Sequence, residues 1–243
     1  MLLGAFVVID FFALVGWAGT RLADPGSFPI RGVHVEGEFR RLKPTEVEAL
    51  VAAQVRGGFF TMQVDALQEQ LRVNPWIQGV SIRRVWPDQL QVTVLEQRAV
   101  AAWGERGLVN RDGQVFRPPR RSFPAGLARL YGPPGSAARV LASLRVLEGL
   151  LARLEVRVTA LRVSPRGSWE FDLENGLTVT VGRTDFQRRV TRFAKLYEQV
   201  FHGLDMGRVN RVDLRYTNGF TVNSRAALEQ ARQAPEGDAG EKA

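Results

Sequence analysis

The chain has 243 residues, 45% of them hydrophobic, which is enough for one large or two modest domains with a buried core. It has no cysteine, so disulfide scaffolds, thiolate zinc sites and cysteine nucleophiles are excluded. The formal net charge of +8 comes almost entirely from arginines scattered along the chain. A basic surface suits an acidic protein partner, an anionic membrane face or nucleic acid, and the scatter argues against nucleic acid.

The first segment, residues 2–20, reads LLGAFVVIDFFALVGWAGT and is apolar except for Asp10 and the final threonine. As a helix it would extend roughly 28 Å at about 1.5 Å per residue, close to the thickness of a bilayer core. Trp17 stands where an interfacial aromatic anchor is expected. A cleaved signal peptide is the alternative, but the segment lacks a clear basic start and cleavage site. We therefore predict one transmembrane helix over residues 1–22.

The orientation of this helix is harder to predict. The positive-inside rule expects basic residues on the cytoplasmic flank, yet Arg21 follows the apolar run and only the terminal amine precedes it. Either a basic segment upstream of residue 1 belongs to the protein, or the C-terminal bulk is cytoplasmic. Asp10 within a span costs about 3 kcal/mol. Two interpretations stay open for Asp10: a polar contact with another membrane helix, or a tolerated residue.

A Pro/Gly linker at residues 23–27 leads to a first small domain, predicted over residues 28–97. Its sequence begins with a strand and continues with two short helices. We predict Thr45 as the N-cap of the first, in a capping box with Glu48, and Asp65 as the cap of the second.

A hairpin completes this domain. The apolar alternation of Val80 and Ile82, and of Leu90, Val92 and Val94, predicts two half-buried strands around a turn at Pro87-Asp88. The predicted element order is therefore β-α-α-β-β, a complete α+β domain.

The rest of the folded chain, residues 98–223, is predicted to be a β-rich domain with two helices. Asp112-Gly113 and two Asn-Gly pairs mark hairpin turns. Residues 137–154 have helical periodicity, as does the segment TDFQRRVTRFAKLYEQVF, which places Phe186, Val190, Phe193, Leu196 and Tyr197 on one face. Residues 224–243 are predicted to be a disordered tail.

The sequence predicts no enzyme active site, and no cofactor, metal or small-molecule substrate. Neither His34 nor His202 has a carboxylate or serine at motif spacing, and no phosphate-binding, dinucleotide-binding or metalloprotease motif occurs. The carboxylates stand at predicted turns, caps and exposed strand faces. Paired catalytic carboxylates converge only in three dimensions, so an enzyme stays the least favoured alternative.

Protein binding is favoured instead. The last strand, residues 220–223, is a candidate for a sheet edge, where unpaired backbone groups can accept a partner strand. The alternative is that its own domain caps this strand. One face of the second helix carries four basic residues, for which a solvated surface is the simpler interpretation: Arg188, Arg189, Arg192 and Lys195.

Four stretches together resemble one family, the bacterial cell-division protein FtsQ, also called DivIB. They are NPWIQGVSIRRVWPDQLQVTVLEQRAVAAW, LVNRDGQVF, VGRTDFQRRVTRF and RVDLRYTNGFTV. The resemblance implies a cytoplasmic tail, one membrane span, a POTRA domain and a β domain outside the inner membrane. Two positions depart from the family's pattern: Ala99, where proline is frequent, and Ser224, where a relative can have tryptophan.

The resemblance also implies a non-catalytic role at the division septum, where this family scaffolds the division complex and recruits FtsB and FtsL. By position, the FtsB-binding surface comprises Arg166, Arg215, Tyr216, Gly219, Phe220, Thr221 and Val222. Asp10 is the candidate for a contact within the membrane. The alternative function is a POTRA-bearing module for outer-membrane protein assembly or secretion.

Overall fold

The computed structural model describes residues 2–24, 26–55, 57–201, 209–216 and 221–224, without the side chains of 2–8, 23, 198–201, 209 and 221–224. Several predicted features lie outside these residues: His202, the turn at 218–219, Phe220 and the tail from 225 onward. The chain divides into two compact units, Met1–Arg98 and Ala99–Ala243.

The first element is helix α1, Leu2–Ala23. Its described side chains are mostly exposed, Asp10 among them. Across the described ranges, no helix reaches the length and hydropathy that a bilayer crossing requires. The prediction of a helix in this segment is confirmed for Leu2–Ala23.

The first unit continues with three strands and two helices, in the order β-α-α-β-β. They are β1 Gly32–Gly37, α2 Pro44–Gln54, α3 Val64–Arg72, β2 Ile77–Val85 and β3 Gln89–Glu96. Strand β3 lies in the centre of the sheet, parallel to β1 and antiparallel to β2. Its apolar residues Leu90, Val92 and Val94 are buried in one core with Val47 of α2 and Leu67 of α3, as the alternation predicts.

Both predicted helix caps are wrong by two residues. Lys43 is the N-cap of α2 and Gln63 that of α3, and neither side chain makes a capping hydrogen bond. Pro44 explains the first error, since a proline fits the first helical position, where its missing N–H has no partner anyway. Asp65 lies in the first turn of α3, where a carboxylate favours the positive end of the helix dipole.

A buried carboxylate holds the loop after β1 to the end of β3. Glu96 is only 5% exposed, and its carboxylate accepts hydrogen bonds from the backbone N–H groups of Arg40, Arg41 and Leu42 at 2.9 to 3.2 Å. Three donors compensate the desolvation of the charge, which would otherwise be costly. This contact closes the loop over the core of the first unit.

The described residues of the second unit form nine strands in one sheet and two α-helices. The strands are β4 Ala99–Trp103, β5 Gly107–Asn110, β6 Val115–Phe116, β7 Arg129–Tyr131, β8 Val158–Val163, β9 Trp169–Leu173, β10 Thr178–Gly182, β11 Val209–Asp213 and β12 Thr221–Ser224. The helices are α4 Ala137–Leu151 and α5 Phe186–Phe201. The sheet order is β12-β11-β10-β9-β8-β7-β4-β5-β6, so β12 is at one end.

The two helices share one core with the central strands. Val190 and Phe193 of α5 and Leu144 and Leu147 of α4 are buried in the same cluster as Phe171 of β9. The predicted apolar face of α5 is confirmed at Val190 and Phe193, and Phe186 and Tyr197 pack against this core at its border. Strand β11 pairs parallel with β10, because the connection between them is a crossover that contains α5. It pairs antiparallel with β12.

We predict that Glu96→Gln destabilises the first unit by about 1 to 3 kcal/mol, because the amide nitrogen would face backbone donors and the charge-assisted bonds would be lost. Hydrogen exchange of the full chain should be faster at the amides of residues 40–42. Glu48→Gln on α2 is the matched control and should leave those amides unchanged. Equal protection in both variants would show that the Glu96 contact contributes little.

Candidate functional site

The end of strand β11 presents a polar and aromatic segment to solvent. Leu214, just beyond the strand, is buried, and its N–H donates to the carbonyl oxygen of Thr180 at 2.8 Å. Arg215 and Tyr216 follow, both exposed, with 56% of Tyr216 accessible. The buried leucine thus fixes the point at which the chain leaves the sheet.

Two arginines of α5 hold the strand ends in this region. Nη1 of Arg189 donates to the carbonyl oxygen of Val181 at 2.7 Å. Nη2 of Arg192 donates to the carbonyl oxygen of Tyr216 at 2.9 Å and, more weakly, to that of Leu214 at 3.4 Å. The interpretation of this face as simply solvated is therefore wrong for these two residues, although Arg188 and Lys195 are exposed.

Gly182 makes this arrangement possible at the end of β10. Its φ is +92°, and a Cβ atom there would come within 2.7 Å of Nη1 of Arg189 and 3.1 Å of Cγ of Arg215. A side chain would therefore be strained and would displace both arginines.

Arg166 reaches the same region from the turn between β8 and β9. The turn is closed by the hydrogen bond from the N–H of Gly167 to the carbonyl oxygen of Ser164 at 2.9 Å. The N–H of Ser168 donates to the hydroxyl of Ser164 at 3.0 Å. Arg166 lies at the tip of this turn and is exposed.

These segments line an open cavity of about 530 Å³, at the end of the sheet where strands β8, β10 and β11 finish. Its lining contains four arginines together with hydroxyl groups: Arg166, Arg183, Arg189, Arg215, Ser164, Ser168 and Thr184. Guanidinium and hydroxyl groups are hydrogen-bond donors that match carboxylate oxygens. The cavity is suited to acidic side chains.

Arg215 is paired with the last residue of β11. Its Nε and Nη2 donate to the carboxylate of Asp213 at 2.6 to 3.0 Å. The side-chain hydrogen bonds from Arg215 are the main reason why the pKa of Asp213 is lowered from its ordinary value. The pair holds the arginine stem beside Gly182, which positions the residue at the rim of the cavity.

The neighbouring surface of the sheet neutralises its own charges. Arg162 of β8 pairs with Asp172 of β9 at 2.7 Å, and Glu170 of β9 lies 3.6 Å from Arg211 of β11. By contrast, Arg166 and Arg183 have no ion pair within the described part of the chain. The excess positive charge of this end of the sheet is therefore concentrated at the cavity.

The structure brings two of the predicted partner-binding residues, Arg166 and Arg215, to one cavity, and Tyr216 directly follows Arg215 in the chain. Thr221 and Val222 lie in β12, the terminal strand in the sheet order, where each pairs with β11. Gly219 and Phe220 are outside the described residues, and Asp10 belongs to the first unit.

Sequence reasoning missed Arg183 and the carbonyl-binding role of Arg189. The signal was the order Gly-Arg-Thr after an apolar strand, which places an arginine directly after a glycine at a strand end. Nothing in that order reveals that the turn at Arg166 folds onto the same region.

We predict that Arg215→Gln raises the pKa of Asp213 toward its ordinary value, because the variant loses the main group that lowers it. Since the lowered pKa stabilises the fold only while Asp213 is ionised, the stability difference between the unchanged chain and the variant should be present above about pH 4 and should shrink as the pH falls through the lowered pKa. Carboxyl carbon NMR titration measures the shift. Arg183→Gln, in the same cavity, should leave it unchanged, and an equal effect of both variants would contradict the pairing.

Comparison with known proteins gives consistent matches over both units. A family model described as cell division protein FtsQ/DivIB, C-terminal, matches residues 101–215, and one described as POTRA domain, FtsQ-type, matches residues 28–97. The cell division protein FtsQ of Coxiella burnetii is 34% identical over 201 residues, which are 83% of this chain and 82% of the relative.

Two further relatives extend the comparison. FtsQ of Xanthomonas campestris pv. campestris is 34% identical over 223 residues, covering 91% of this chain and 77% of the relative. FtsQ of Escherichia coli is 31% identical over 221 residues, covering 89% of this chain and 79% of the relative. The chain belongs to the FtsQ/DivIB family of bacterial cell division proteins.

Proposed function

We propose that the chain is a non-catalytic scaffold of the bacterial division complex that binds FtsB, and through it FtsL, at the arginine-lined end of its nine-stranded sheet. One observation carries the proposal: Arg166 and Arg215, from separate segments, line one cavity, and the exposed Tyr216 directly follows Arg215. An exposed aromatic ring next to arginines is the composition of binding hot spots.

The proposed binding mode combines charge pairing with strand addition. Arg166 and Arg183 have no acidic partner in the described residues and are available for carboxylates of the partner. Among the described strands β12 ends the sheet order, which supports pairing of its outer backbone groups with an extended partner segment. Charge pairing speeds the encounter and sets the register, while backbone hydrogen bonds add affinity.

We predict that Arg166→Glu weakens binding of the FtsB segment to the full chain at least about tenfold, because it places a like charge against the partner's carboxylates. Tyr216→Ala should cost about 2 kcal/mol or more, as expected for a hot-spot residue. Calorimetric titration at two salt concentrations measures both effects. Affinity should fall as salt rises, since exposed charge pairs are screened.

Arg153→Glu is the matched control for this titration. Arg153 is an exposed arginine of the same unit that does not line the cavity, so its reversal changes net charge equally. If both reversals weaken binding alike, only overall charge matters and the proposed site is wrong. If the unchanged chain does not bind FtsB but binds unfolded outer-membrane polypeptides, the assembly-module alternative replaces the scaffold proposal.

The proposal includes an inner-membrane location at the septum, with one span at residues 1–22, the N-terminus cytoplasmic and both domains outside. Its support is the apolar run at residues 2–20 and the division family to which the chain belongs. Asp10 is assigned a contact with another membrane helix on the same sequence grounds.

The location has a direct test in bacterial cells that express the full chain. We expect the protein to stay in the membrane pellet after alkaline carbonate extraction, because an apolar span resists treatments that remove peripheral proteins. Protease added to spheroplasts should digest the domains. Release of the protein by carbonate would contradict the span. An epitope at the C-terminus that stays fully protected from the added protease would contradict the orientation.

A further inference from the structure

The first unit carries an aromatic cluster separate from its hydrophobic core. Phe28, Phe59, Phe60 and Trp86 make five mutual ring contacts, with centroids 5.1 to 6.2 Å apart. None of the four belongs to the core formed by the described residues of α2, α3 and the sheet. Phe59 is buried beneath the others, whereas 45% of Phe60 and 63% of Trp86 are exposed.

Backbone contacts make this cluster a rigid feature. The N–H of Phe59 donates to the carbonyl oxygen of Phe28 at 2.7 Å, and Pro29 pairs with Gly58 in an isolated β-bridge. Trp86 opens the turn that connects β2 and β3. A preformed cluster of rings needs little ordering on binding, so its exposed surface is suited to a contact.

Two arginines lie close to the cluster along the chain: Arg84 is two residues before Trp86, and Arg31 is three residues after Phe28. Nη2 of Arg84 donates to the carbonyl oxygen of Met62 at 2.6 Å, which holds that side chain near the segment after Phe60. The N–H of Arg31 donates to the carbonyl oxygen of Asp88 in the turn that begins at Trp86. Both arginines are exposed, and neither has an ion pair in the ranges that the structure describes. Asp88 is the acidic side chain of that turn.

The chain itself limits how far this cluster can be from α1. Only residues 24–27 separate the last residue of α1, Ala23, from Phe28. Five steps of at most about 3.6 Å place Phe28 within roughly 18 Å of the helix end. Near that end, Arg21 makes a cation–π contact with Trp17, with the guanidinium carbon 5.5 Å from the ring centroid.

We propose that Phe60 and Trp86, together with Arg31 and Arg84, insert into the headgroup region of an anionic bilayer and hold the POTRA domain against the membrane. Aromatic rings are favoured at the bilayer interface, and arginines are attracted to anionic lipids. The proposal rests on the membrane location proposed above. A protein partner has similar side-chain preferences, but the short connection to α1 makes the bilayer the surface within reach.

The absence of cysteine in the sequence permits a site-specific test on the full chain. Phe60→Cys is labelled with an environment-sensitive fluorophore, and the chain is reconstituted into vesicles of phosphatidylcholine with or without phosphatidylglycerol. Ser81→Cys is the matched control, because Ser81 is exposed on β2 five residues before Trp86, about 17 Å away at about 3.4 Å per residue.

We expect about a twofold rise in emission at position 60 in anionic vesicles, with quenching by nitroxide lipids labelled near the headgroup, and no change at position 81. Trp86→Ala should remove at least about half of that rise, because it deletes the larger inserted ring. Circular dichroism verifies that the Trp86→Ala variant folds. The comparison of the two lipid compositions uses the labelled Phe60→Cys variant alone and needs no second substitution.

Flotation of the same vesicles separates failure of the contact from failure of the anchor. If the chain floats but position 60 behaves like position 81, the contact is wrong and the membrane location stands. If the chain neither floats nor responds, both proposals are overturned. If position 60 responds only to an added division protein and not to lipid, the cluster is a protein-binding site and the bilayer contact is wrong.

Discussion

The hydrogen bonds from the α5 arginines to strand-end carbonyl groups are the constraint on which the candidate site depends. Arg192 donates to Tyr216 and Leu214, and Arg189 to Val181. These carbonyls lie where strands end and the sheet ladder no longer satisfies them. A guanidinium carries five donors in a fixed plane, so one side chain can serve two acceptors. The helix thereby fixes the segment that presents Arg215 and Tyr216.

Polar contacts of two of the four arginines explain how all four can share one cavity. Like charges at close range repel, and the repulsion is stronger where water is partly excluded. Here Arg189 is partly neutralised by the dipole of the Val181 carbonyl group, and Arg215 by the carboxylate of Asp213. The repulsion that remains falls mainly on Arg166 and Arg183, which are exposed. The proposed binding of an acidic partner segment would relieve that repulsion, an electrostatic driving force beyond the net charge of the chain.

Local features of the fold could be predicted from the sequence, and features that depend on packing could not. The hairpin of β2 and β3 follows from alternation within one short stretch, and the register observed between Val80 and Val94 agrees with it. The predictions of the helix caps were wrong although Thr45 and Asp65 have side chains that can cap a helix. Helix α2 begins earlier, at Pro44, and α3 begins earlier, at Val64. Family resemblance predicted Arg166 and Arg215 as site residues by position, and the structure places both at one cavity. Sequence reasoning did not place Arg183 and Arg189 at the candidate site, since only the folded sheet shows that these two arginines line the cavity.

Strand β12 pairs with β11, whose last residue Asp213 holds the cavity residue Arg215, and this has a consequence for the specificity of the proposed binding. A strand edge by itself accepts many extended segments, because its hydrogen-bonding groups are the same for every sequence. A cluster of arginines by itself accepts many anions. Placed next to each other, the two limit the partner to an extended segment whose acidic residues fall at the correct distance from its paired backbone, and a one-residue slip would turn those side chains to the opposite face. In the proposed binding mode, β11, β12 and the arginine cavity would therefore select a partner by register as well as by charge.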